Sequence, residues 1–233
     1  MMHERFFSFV VPCHNEERII AEALECLLGL DYPKDRYEII IVENGSTDAT
    51  FEIAKRYEGP NCRIYQSEKG VSRARNFGAQ KCSAEMEWGL AMDADTFLKK
   101  NFLKELNAYL EAHPDVAYGT VEITLDDYSR RGRFWGWFTN YFDRLFKVLH
   151  RIHIVRRDLF LRVHYDEGLV SGEDVRYGRE LSRYGKYFFM NTDQVISSAR
   201  RFVQKGYIPM LFINMRAGLP RWVLRHFDWE VIR

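Results

Sequence analysis

The sequence predicts a three-layer α/β fold with a mostly parallel sheet, and three observations support this prediction. Short apolar runs alternate with amphipathic helical segments along the first half of the chain, as they do in βαβ units. The runs show little polar alternation, which is typical of strands buried on both faces. Polar residues follow three of the runs, at the carboxyl ends of strands where ligands bind in parallel sheets.

The first elements begin close to the start of the chain. Phe6–Pro12 is predicted as a buried strand. Asn15 is a good N-cap residue, and we expect it to start a helix that ends at about Leu28. Tyr37–Glu43 is rich in Ile and Val and is predicted as the second strand.

The remaining elements are assigned by the same patterns. In the first half they are a loop at Asn44–Asp48, a helix to Tyr57, a strand at Cys62–Gln66, a helix at Gly70–Ser83, a strand at Trp88–Met92, a helix at Asn101–Ala112 and a strand at Val116–Thr124. In the second half they are a loop at Asp126–Gly132, a helix at Phe134–Leu149, a strand at Ile152–Arg156 and a loop that enters a helix within Gly172–Tyr184. We find no repeat or linker, so a single domain over 1–233 is predicted.

The net charge of +1 conceals two halves of opposite sign. Residues 1–127 hold 14 basic and 23 acidic residues, whereas residues 128–233 hold 20 basic and 10 acidic residues. Most basic residues of the second half are arginines, which bind phosphate groups through paired hydrogen bonds. We expect an anionic substrate or an anionic membrane surface as a partner, and the alternative is that the two halves attract each other. No nucleic-acid partner is expected.

Cysteine spacing and hydropathy predict a cytoplasmic protein. Four cysteines without a Cys-x-x-Cys motif indicate reduced thiols. The apolar run that begins at Phe6 is too short for a signal peptide, and the longest apolar run near the C-terminus, Tyr207–Met215, is too short to span a membrane.

Two carboxylates one residue apart follow the predicted strand Trp88–Met92. Asp93 and Asp95 are hard oxygen ligands at a sheet edge, and such pairs often connect Mg²⁺ to the phosphates of a substrate. Two exposed acids in a turn are the alternative, because Asp-x-Asp alone is a weak signal.

Five segments occur in an order that is similar to glycosyltransferase family 2, the inverting, nucleotide-sugar-dependent enzymes of the GT-A fold. They are Val10–Glu16, Ile41–Asp48, Gly70–Gly78, Asp93–Asp95 and Gly172–Asp174. The resemblance covers about residues 6–206 and implies a GT-A fold, with a nucleotide-sugar-binding half at 1–127 and an acceptor half at 128–233.

The resemblance also implies roles for particular residues. Asp95 would be the direct ligand of Mg²⁺ or Mn²⁺ with Asp93 beside it, and Asp174 would be the general base that deprotonates the acceptor hydroxyl. Glu43 stands where the family usually has Asp, and Asn44 where it often has a second Asp. The residues implied to contact the donor are Pro12, Asn15, Glu16, Glu43, Asn44, Arg75, Asp93, Arg200 and Arg201, with Arg156 and Arg157 as alternatives for the diphosphate.

The functional prediction is a metal-dependent inverting glycosyltransferase that acts on a nucleotide-diphosphate sugar, with UDP favoured over GDP. The acceptor would be a hydroxyl of a glycan or a lipid-linked molecule.

A non-catalytic sugar-nucleotide-binding protein is one alternative. A sugar nucleotidyltransferase is disfavoured because Cys13–Glu16 replaces the glycine-rich loop expected after the first strand, and no Gly-x-Gly-x-x-Gly supports a dehydrogenase. Processive polysaccharide synthases carry a Gln-x-x-Arg-Trp motif, and this chain keeps only its last two residues, Arg221-Trp222. A processive synthase is therefore disfavoured.

The aromatic segment Phe134–Leu149 has two interpretations. Its aromatic residues, including Trp135, Trp137 and Phe138, could lie at a membrane interface with arginines facing anionic lipid. Alternatively, the helix packs these aromatic side chains on the sheet.

Overall fold

A computed structural model describes residues 3–169 and 172–207, without the side chains of Arg201, Gln204 and Lys205. The strands are β1 (Phe7–Cys13), β2 (Tyr37–Glu43), β3 (Cys62–Gln66), β4 (Trp88–Met92), β5 (Thr96–Leu98), β6 (Val116–Val121), β7 (Thr124–Leu125), β8 (Ile152–Arg156), β9 (Lys186–Met190) and β10 (Val195–Ser197). The α-helices are α1 (Ile20–Leu28), α2 (Thr50–Lys55), α3 (Val71–Ala79), α4 (Phe102–Ala112), α5 (Arg130–Phe146), α6 (Arg157–Arg162), α7 (Glu173–Leu181) and α8 (Arg200–Lys205).

The main sheet has seven strands in the order β3-β2-β1-β4-β8-β6-β9. Strand β8 is antiparallel to both of its neighbours, and the other six strands run in one direction. A small sheet, β5-β10-β7, lies beside it. The predicted mostly parallel α/β fold is therefore confirmed.

Alternate residues of the strands enter two separate hydrophobic clusters, one on each face of the sheet. Phe9 and Leu90 belong to the cluster that includes Leu24 of α1. Their neighbours Val10 and Ala91 belong to the cluster that includes side chains of α3, α6 and α7. This alternation follows from the two-residue period of a strand and produces the three predicted layers.

Most predicted strands agree with the structure to within one residue, but two local predictions are wrong. Asn15 does not cap a helix: α1 begins at Ile20, and Asn15 lies in a loop with a left-handed φ of 55°. The predicted strand Val116–Thr124 is divided, because β6 pairs in the main sheet whereas β7 pairs with β10 in the small sheet.

Several boundaries differ in the helices. Helix α3 ends at Ala79 and α2 at Lys55, earlier than the predicted Ser83 and Tyr57. Helix α5 begins at Arg130, inside the predicted loop, because Ser129 caps it by accepting a hydrogen bond from the backbone of Gly132 at 3.1 Å. The elements that the sequence patterns did not predict are β5, β9, β10, α6 and α8.

All four cysteines are free thiols. Burial, followed by the charge of nearby Glu43, raises the pKa of Cys13 to about 12. Within the ranges 3–169 and 172–207, no helix combines the length and apolarity needed to cross a membrane.

Candidate active site

The carboxyl ends of three neighbouring parallel strands form the edge where the candidate site lies. Strands β1, β2 and β4 are in parallel register, so the residues that follow Cys13, Glu43 and Met92 gather at one edge. Helix α3 packs on β1 and β2 and brings Arg75 to the same edge.

Arg75 is the centre of an ion-pair cluster that joins three segments of the chain. Its Nη2 lies 2.8 Å from Oδ1 of Asp93, and its Nη1 lies 2.7 Å from Oδ1 of Asp174 and 3.7 Å from Oε1 of Glu173. The Arg75 side chain is 2% exposed, whereas those of Asp93 and Asp174 are 25% and 24% exposed. The guanidinium thus lies beneath two carboxylates that reach solvent.

The charges of this cluster determine its protonation. Burial would lower the pKa of Arg75, but the carboxylates of Asp174 and Asp93 raise that pKa above its ordinary value, so Arg75 stays cationic. Burial and the negative charge of Asp174 raise the pKa of Glu173 to about 7. Glu173 therefore changes protonation near neutral pH, directly beside the candidate base.

His153, on β8, also lies beside Asp174. Its ring is fully buried, with Nε2 3.4 Å from Oδ1 of Asp174 and Nδ1 2.5 Å from the hydroxyl of Tyr165. Burial lowers the pKa of His153 to about 4, so the imidazole is neutral. A lone pair on Nε2 would repel the carboxylate, so the favoured tautomer carries its proton on Nε2 and accepts from Tyr165 at Nδ1.

Asp95 lies deeper than Asp93, with 1% of its side chain exposed. Arg151 approaches it with Nη1 3.2 Å from Oδ1 and 3.4 Å from Oδ2. Burial opposes the charge of Arg151, but Asp95, Asp93 and Asp174 raise the pKa of Arg151 above its ordinary value. Arg151 thus contacts Asp95 and lies within the electrostatic influence of Asp93 and Asp174.

The oxygen atoms of Asp93 and Asp95 suit a divalent cation such as Mg²⁺, which accepts one or two carboxylates plus substrate phosphates. The hydroxyl of Thr96, the residue after Asp95, is buried without a hydrogen-bond partner. Among the described residues, no group of three or more His, Cys, Asp or Glu side chains could hold a metal ion.

The predicted donor residues Glu43 and Asn44 lie at the end of β2 and are buried. The carboxylate of Glu43 accepts hydrogen bonds from the backbone of Ser46 and, at 3.1 Å, from Gln66. Asn44 donates to the carbonyl of Cys13 at 2.9 Å and accepts from the backbone of Gly70 at 3.3 Å. Both side chains hold the loops that surround the edge.

The other predicted donor residues lie around the end of β1. Glu16 forms an ion pair with Arg200 at 2.8 Å, which connects the loop after β1 to α8. The side-chain oxygen of Asn15 accepts a hydrogen bond from the backbone of Thr47 at 2.8 Å. Pro12 is buried within β1. Arg201 is in α8, and its side chain lies outside the described part of the structure, as does the pair Arg221-Trp222.

The alternative diphosphate residues Arg156 and Arg157 have local partners. Arg156 pairs with Asp158 at 2.7 Å, and Arg157 donates to the carbonyls of Ala84 and Met86. Three residues beside Asp95 and Asp174 were not predicted as site residues from the sequence, namely Arg151, His153 and Tyr165. One signal could have identified His153, because a histidine within an apolar buried strand needs a polar partner.

Comparison with known proteins identifies the family. The sequence model described as "Glycosyl transferase family 2" matches residues 8–166, which is more than half of the chain. The chain belongs to glycosyl transferase family 2. This membership confirms the resemblance found in the motifs.

Curated relatives carry glycosyltransferase names. The chain is 34% identical over 111 residues to the poly(ribitol-phosphate) beta-N-acetylglucosaminyltransferase TarS of Staphylococcus aureus, covering 46% of this chain and 19% of TarS. It is 28% identical to the glycosyltransferase AglE of Haloferax volcanii, covering 77% of this chain and 62% of AglE. The chain thus spans less than two thirds of these two relatives.

Solved structures share the fold. The crystal structure of S. aureus TarS in complex with UDP-GlcNAc has a TM-score of 0.71 at 22% identity and covers 83% of this chain and 58% of that one. The mannosyltransferase PcManGT from Pyrobaculum calidifontis, in complex with GDP-Man and Mn²⁺, has a TM-score of 0.62 at 20% identity, covering 84% of this chain and 57% of that one. Both confirm the GT-A fold of this chain.

Proposed function

We propose that this protein transfers a sugar, with inversion of configuration, from a UDP-sugar to a hydroxyl acceptor, and that it uses Mg²⁺ or Mn²⁺. One observation carries this proposal. Asp174, the candidate base, and Asp93, a candidate metal ligand, contact the same buried guanidinium at 2.7 and 2.8 Å and are both partly open to solvent. A base and a cation-binding carboxylate at one sheet edge are what an inverting transfer needs.

The residues at this edge have complementary roles in the transfer. Asp174 accepts the proton of the acceptor hydroxyl while the hydroxyl oxygen attacks the anomeric carbon. Attack on the face opposite the leaving diphosphate inverts the configuration at that carbon. Arg75 pairs with Oδ1 of the Asp174 carboxylate, and Nε2 of His153 lies 3.4 Å from the same oxygen. Because His153 is neutral, it orients the carboxylate without adding a second charge.

Asp93 and Asp95 are the residues that would hold the cation. When bound, a divalent cation neutralises the negative charge of the diphosphate leaving group. Arg200, on α8, is placed beside Glu16 at the end of β1 and could exchange that carboxylate for a diphosphate oxygen. Charge complementarity therefore supports a diphosphate ligand at this edge.

The relatives support UDP as the nucleotide and leave two acceptor classes. TarS, the relative with 34% identity, is described in complexes with UDP-GlcNAc and with UDP. PcManGT, which binds GDP-Man, is the comparison that supports GDP instead.

TarS is named for a poly(ribitol-phosphate) acceptor, whereas a relative from Methanococcus voltae is named for a dolichyl-phosphate-linked acceptor. On the basis of these two names, we propose that the acceptor is a glycan or a lipid-linked molecule.

A non-catalytic sugar-nucleotide-binding protein is the second candidate. The retained Asp174 argues against it, because a protein that only binds nucleotide sugars needs no base. The two candidates make different predictions for the Asp174→Asn variant, which should keep ligand binding and lose turnover only if the protein is an enzyme.

The test combines thermal stability with donor turnover across a panel of UDP- and GDP-sugars with Mn²⁺. We expect the wild-type protein to be stabilised by one donor together with Mn²⁺, and only weakly by Mn²⁺ alone. Asp95→Ala should lose the cation-dependent stabilisation. Asp174→Asn should keep it while turnover falls by about 10²–10⁴-fold, the range for loss of a general base.

Asp193→Asn is the matched control, because Asp193 is exposed and pairs with Lys99, which is not a member of the Arg75 cluster. It should resemble the wild type in both measurements. Unchanged turnover in Asp174→Asn would place the base elsewhere. Donor binding without any turnover in the wild type would favour the non-catalytic candidate.

A further inference from the structure

Helix α5 exposes a continuous stripe of large apolar side chains. Phe134, Trp137, Tyr141 and Leu145 recur every three or four residues, so they lie along one face of the helix. Each is between 54% and 60% exposed. The rings of Trp137 and Tyr141 stack with centroids 5.8 Å apart, and Phe134 lies 6.0 Å from Trp137. The stripe is a continuous apolar surface that is mostly aromatic.

The opposite face of α5 is small and polar. Its buried residues are Gly132, Gly136 and Asp143. Asn140 contributes two hydrogen bonds to the backbone of Ile123, at 3.0 and 2.9 Å. A surface helix ordinarily turns its apolar face towards the core and its polar face towards water. Trp135 packs against the core and is not part of the exposed stripe. Along the stripe itself helix α5 has the reverse arrangement, and a helix that exposes an apolar face needs an apolar partner.

The charges of α5 indicate the chemistry of that partner. Every exposed residue from Arg130 to Phe146 is either a large apolar residue or an arginine. The exposed arginines are Arg130, Arg131, Arg133 and Arg144. The one acidic residue of the helix, Asp143, is buried against His150 at 2.5 Å. The exposed surface of α5 is therefore apolar and cationic, without an acidic side chain.

We propose that α5 lies on the surface of a lipid bilayer that contains anionic lipid. Aromatic side chains with flanking arginines suit the depth at which an amphipathic helix rests among lipid headgroups. A second copy of this chain fits less well, because a two-fold symmetric contact through this face would set arginines against arginines. The charges thus favour phosphate-bearing headgroups over a self-contact.

This surface is joined to the candidate site by a short segment. The chain leaves α5 at Lys147, and His150, held by Asp143, is followed directly by Arg151, which contacts Asp95. Membrane contact through α5 would therefore place the sheet edge near the bilayer. The inference does not depend on the proposed transferase activity, because membrane binding and donor binding are measured separately.

The experiment is co-sedimentation of the full chain with vesicles of phosphatidylcholine, with and without phosphatidylglycerol, at increasing NaCl concentration. We expect binding to the anionic vesicles that weakens as salt rises. The triple variant Arg130→Gln, Arg131→Gln, Arg133→Gln should bind the anionic vesicles about a hundredfold more weakly, from about a fivefold loss for each of the three charges near the surface. The triple variant Phe134→Ser, Trp137→Ser, Tyr141→Ser should lose binding to the anionic vesicles.

A matched charge control is Arg56→Gln, Arg179→Gln, Arg183→Gln, which removes three exposed arginines from other parts of the surface. It should bind as the wild type does. Thermal stability and UDP binding should be unchanged in all three variants, since the replaced side chains are exposed. Three results would overturn the proposal: no binding of the wild type to anionic vesicles, equal binding of the serine variant, or a wild-type dimer that the serine variant converts to a monomer.

Discussion

Arg75 and Asp174 are 99 positions apart in the chain, and Nη1 of Arg75 lies 2.7 Å from Oδ1 of Asp174. The pair connects α3, packed on the first strands of the sheet, to the start of α7. Since Arg75 also contacts Asp93, one buried cation sets the distance between the candidate base and the candidate metal edge. This arrangement explains why an arginine occupies a position that is almost completely buried.

Replacing Arg75 with methionine should strongly destabilise the fold. The variant loses the charged hydrogen bonds from Arg75 to Asp93 and Asp174, and each of these contributes roughly 1.5–3 kcal/mol to the free energy of unfolding. Urea denaturation of Arg75→Met measures this loss. Arg73→Met is the control, because Arg73 is 43% exposed and its ion pairs should contribute at most about 1 kcal/mol. Equal losses in both variants would contradict the central role of Arg75.

Glu173 should make stability depend on pH between its unfolded and folded pKa values, 4.5 and about 7. In this range the folded chain holds more protons at Glu173 than the unfolded chain does, so its contribution to stability falls as pH rises. Glu173→Gln removes this effect. We expect the variant to gain on the order of 2–3 kcal/mol relative to the wild type between pH 5 and pH 8.

Urea unfolding of both proteins at pH 5 and pH 8 gives the difference between their free energies of unfolding. His153 contributes a pH dependence of the opposite sign, but it contributes equally in both proteins and therefore cancels from the difference. The control is Glu180→Gln, since Glu180 lies in a solvent-facing pair with Arg183. A stability difference between Glu173→Gln and the wild type that does not change with pH would show that Glu173 keeps an ordinary pKa.

Arg151→Met should destabilise the protein in a way that Mg²⁺ relieves. Asp95 is buried and loses its arginine in this variant, at a cost of about 3 kcal/mol. A divalent cation can replace the lost positive charge, so millimolar Mg²⁺ should raise the melting temperature more in Arg151→Met than in the wild type. The double variant Arg151→Met, Asp95→Asn should not respond. A response of equal size in all three proteins would argue against a cation at Asp95.

Arg200→Gln tests whether Arg200 binds the diphosphate or another part of the nucleotide. If Arg200 leaves Glu16 to bind the diphosphate, the variant should bind UDP about tenfold more weakly and UMP almost as well as the wild type. Calorimetric titration with both nucleotides measures the two affinities. Arg56→Gln provides the control on the remote surface. Equal weakening for UDP and UMP would assign Arg200 a structural role.

Gly78 ends the segment Gly70–Gly78, the third of the five segments that resemble the family, and Gly78→Ala tests why a glycine stands there. A Cβ at this position would lie 2.4 Å from Cγ1 of Val10 and 3.1 Å from Cγ2 of Val42. Alanine ordinarily stabilises a helix relative to glycine by about 1 kcal/mol, but this overlap should reverse the sign and cost about 1–3 kcal/mol. Thermal denaturation gives the sign. Gly59→Ala, where the nearest atom is 4.0 Å away, is the control.

The strands of the main sheet were predictable because their signal is local. A buried strand such as β2 or β4 is a continuous apolar run, and its bounds in the structure equal the predicted ones. The order of strands and helices implied a parallel sheet, and that sheet collected Glu43, Asp93 and Arg75 at one edge. The same reasoning failed at Asn15, because its side chain satisfies the backbone of Thr47, 32 positions away, rather than a helix of its own.

The tertiary structure decided the features that depend on distant contacts. Spacing could not show which partners hold Arg75, or that His153 would lie against Asp174, because both contacts cross between separate strands and helices. Periodicity located an aromatic helix near residue 134 but was equally compatible with aromatic side chains turned inward or outward. Gly132, Gly136 and Asp143 occupy the inward face of α5, where a Cβ on Gly132 would overlap the carbonyl of Asp127, so the stripe of large side chains faces away from the core.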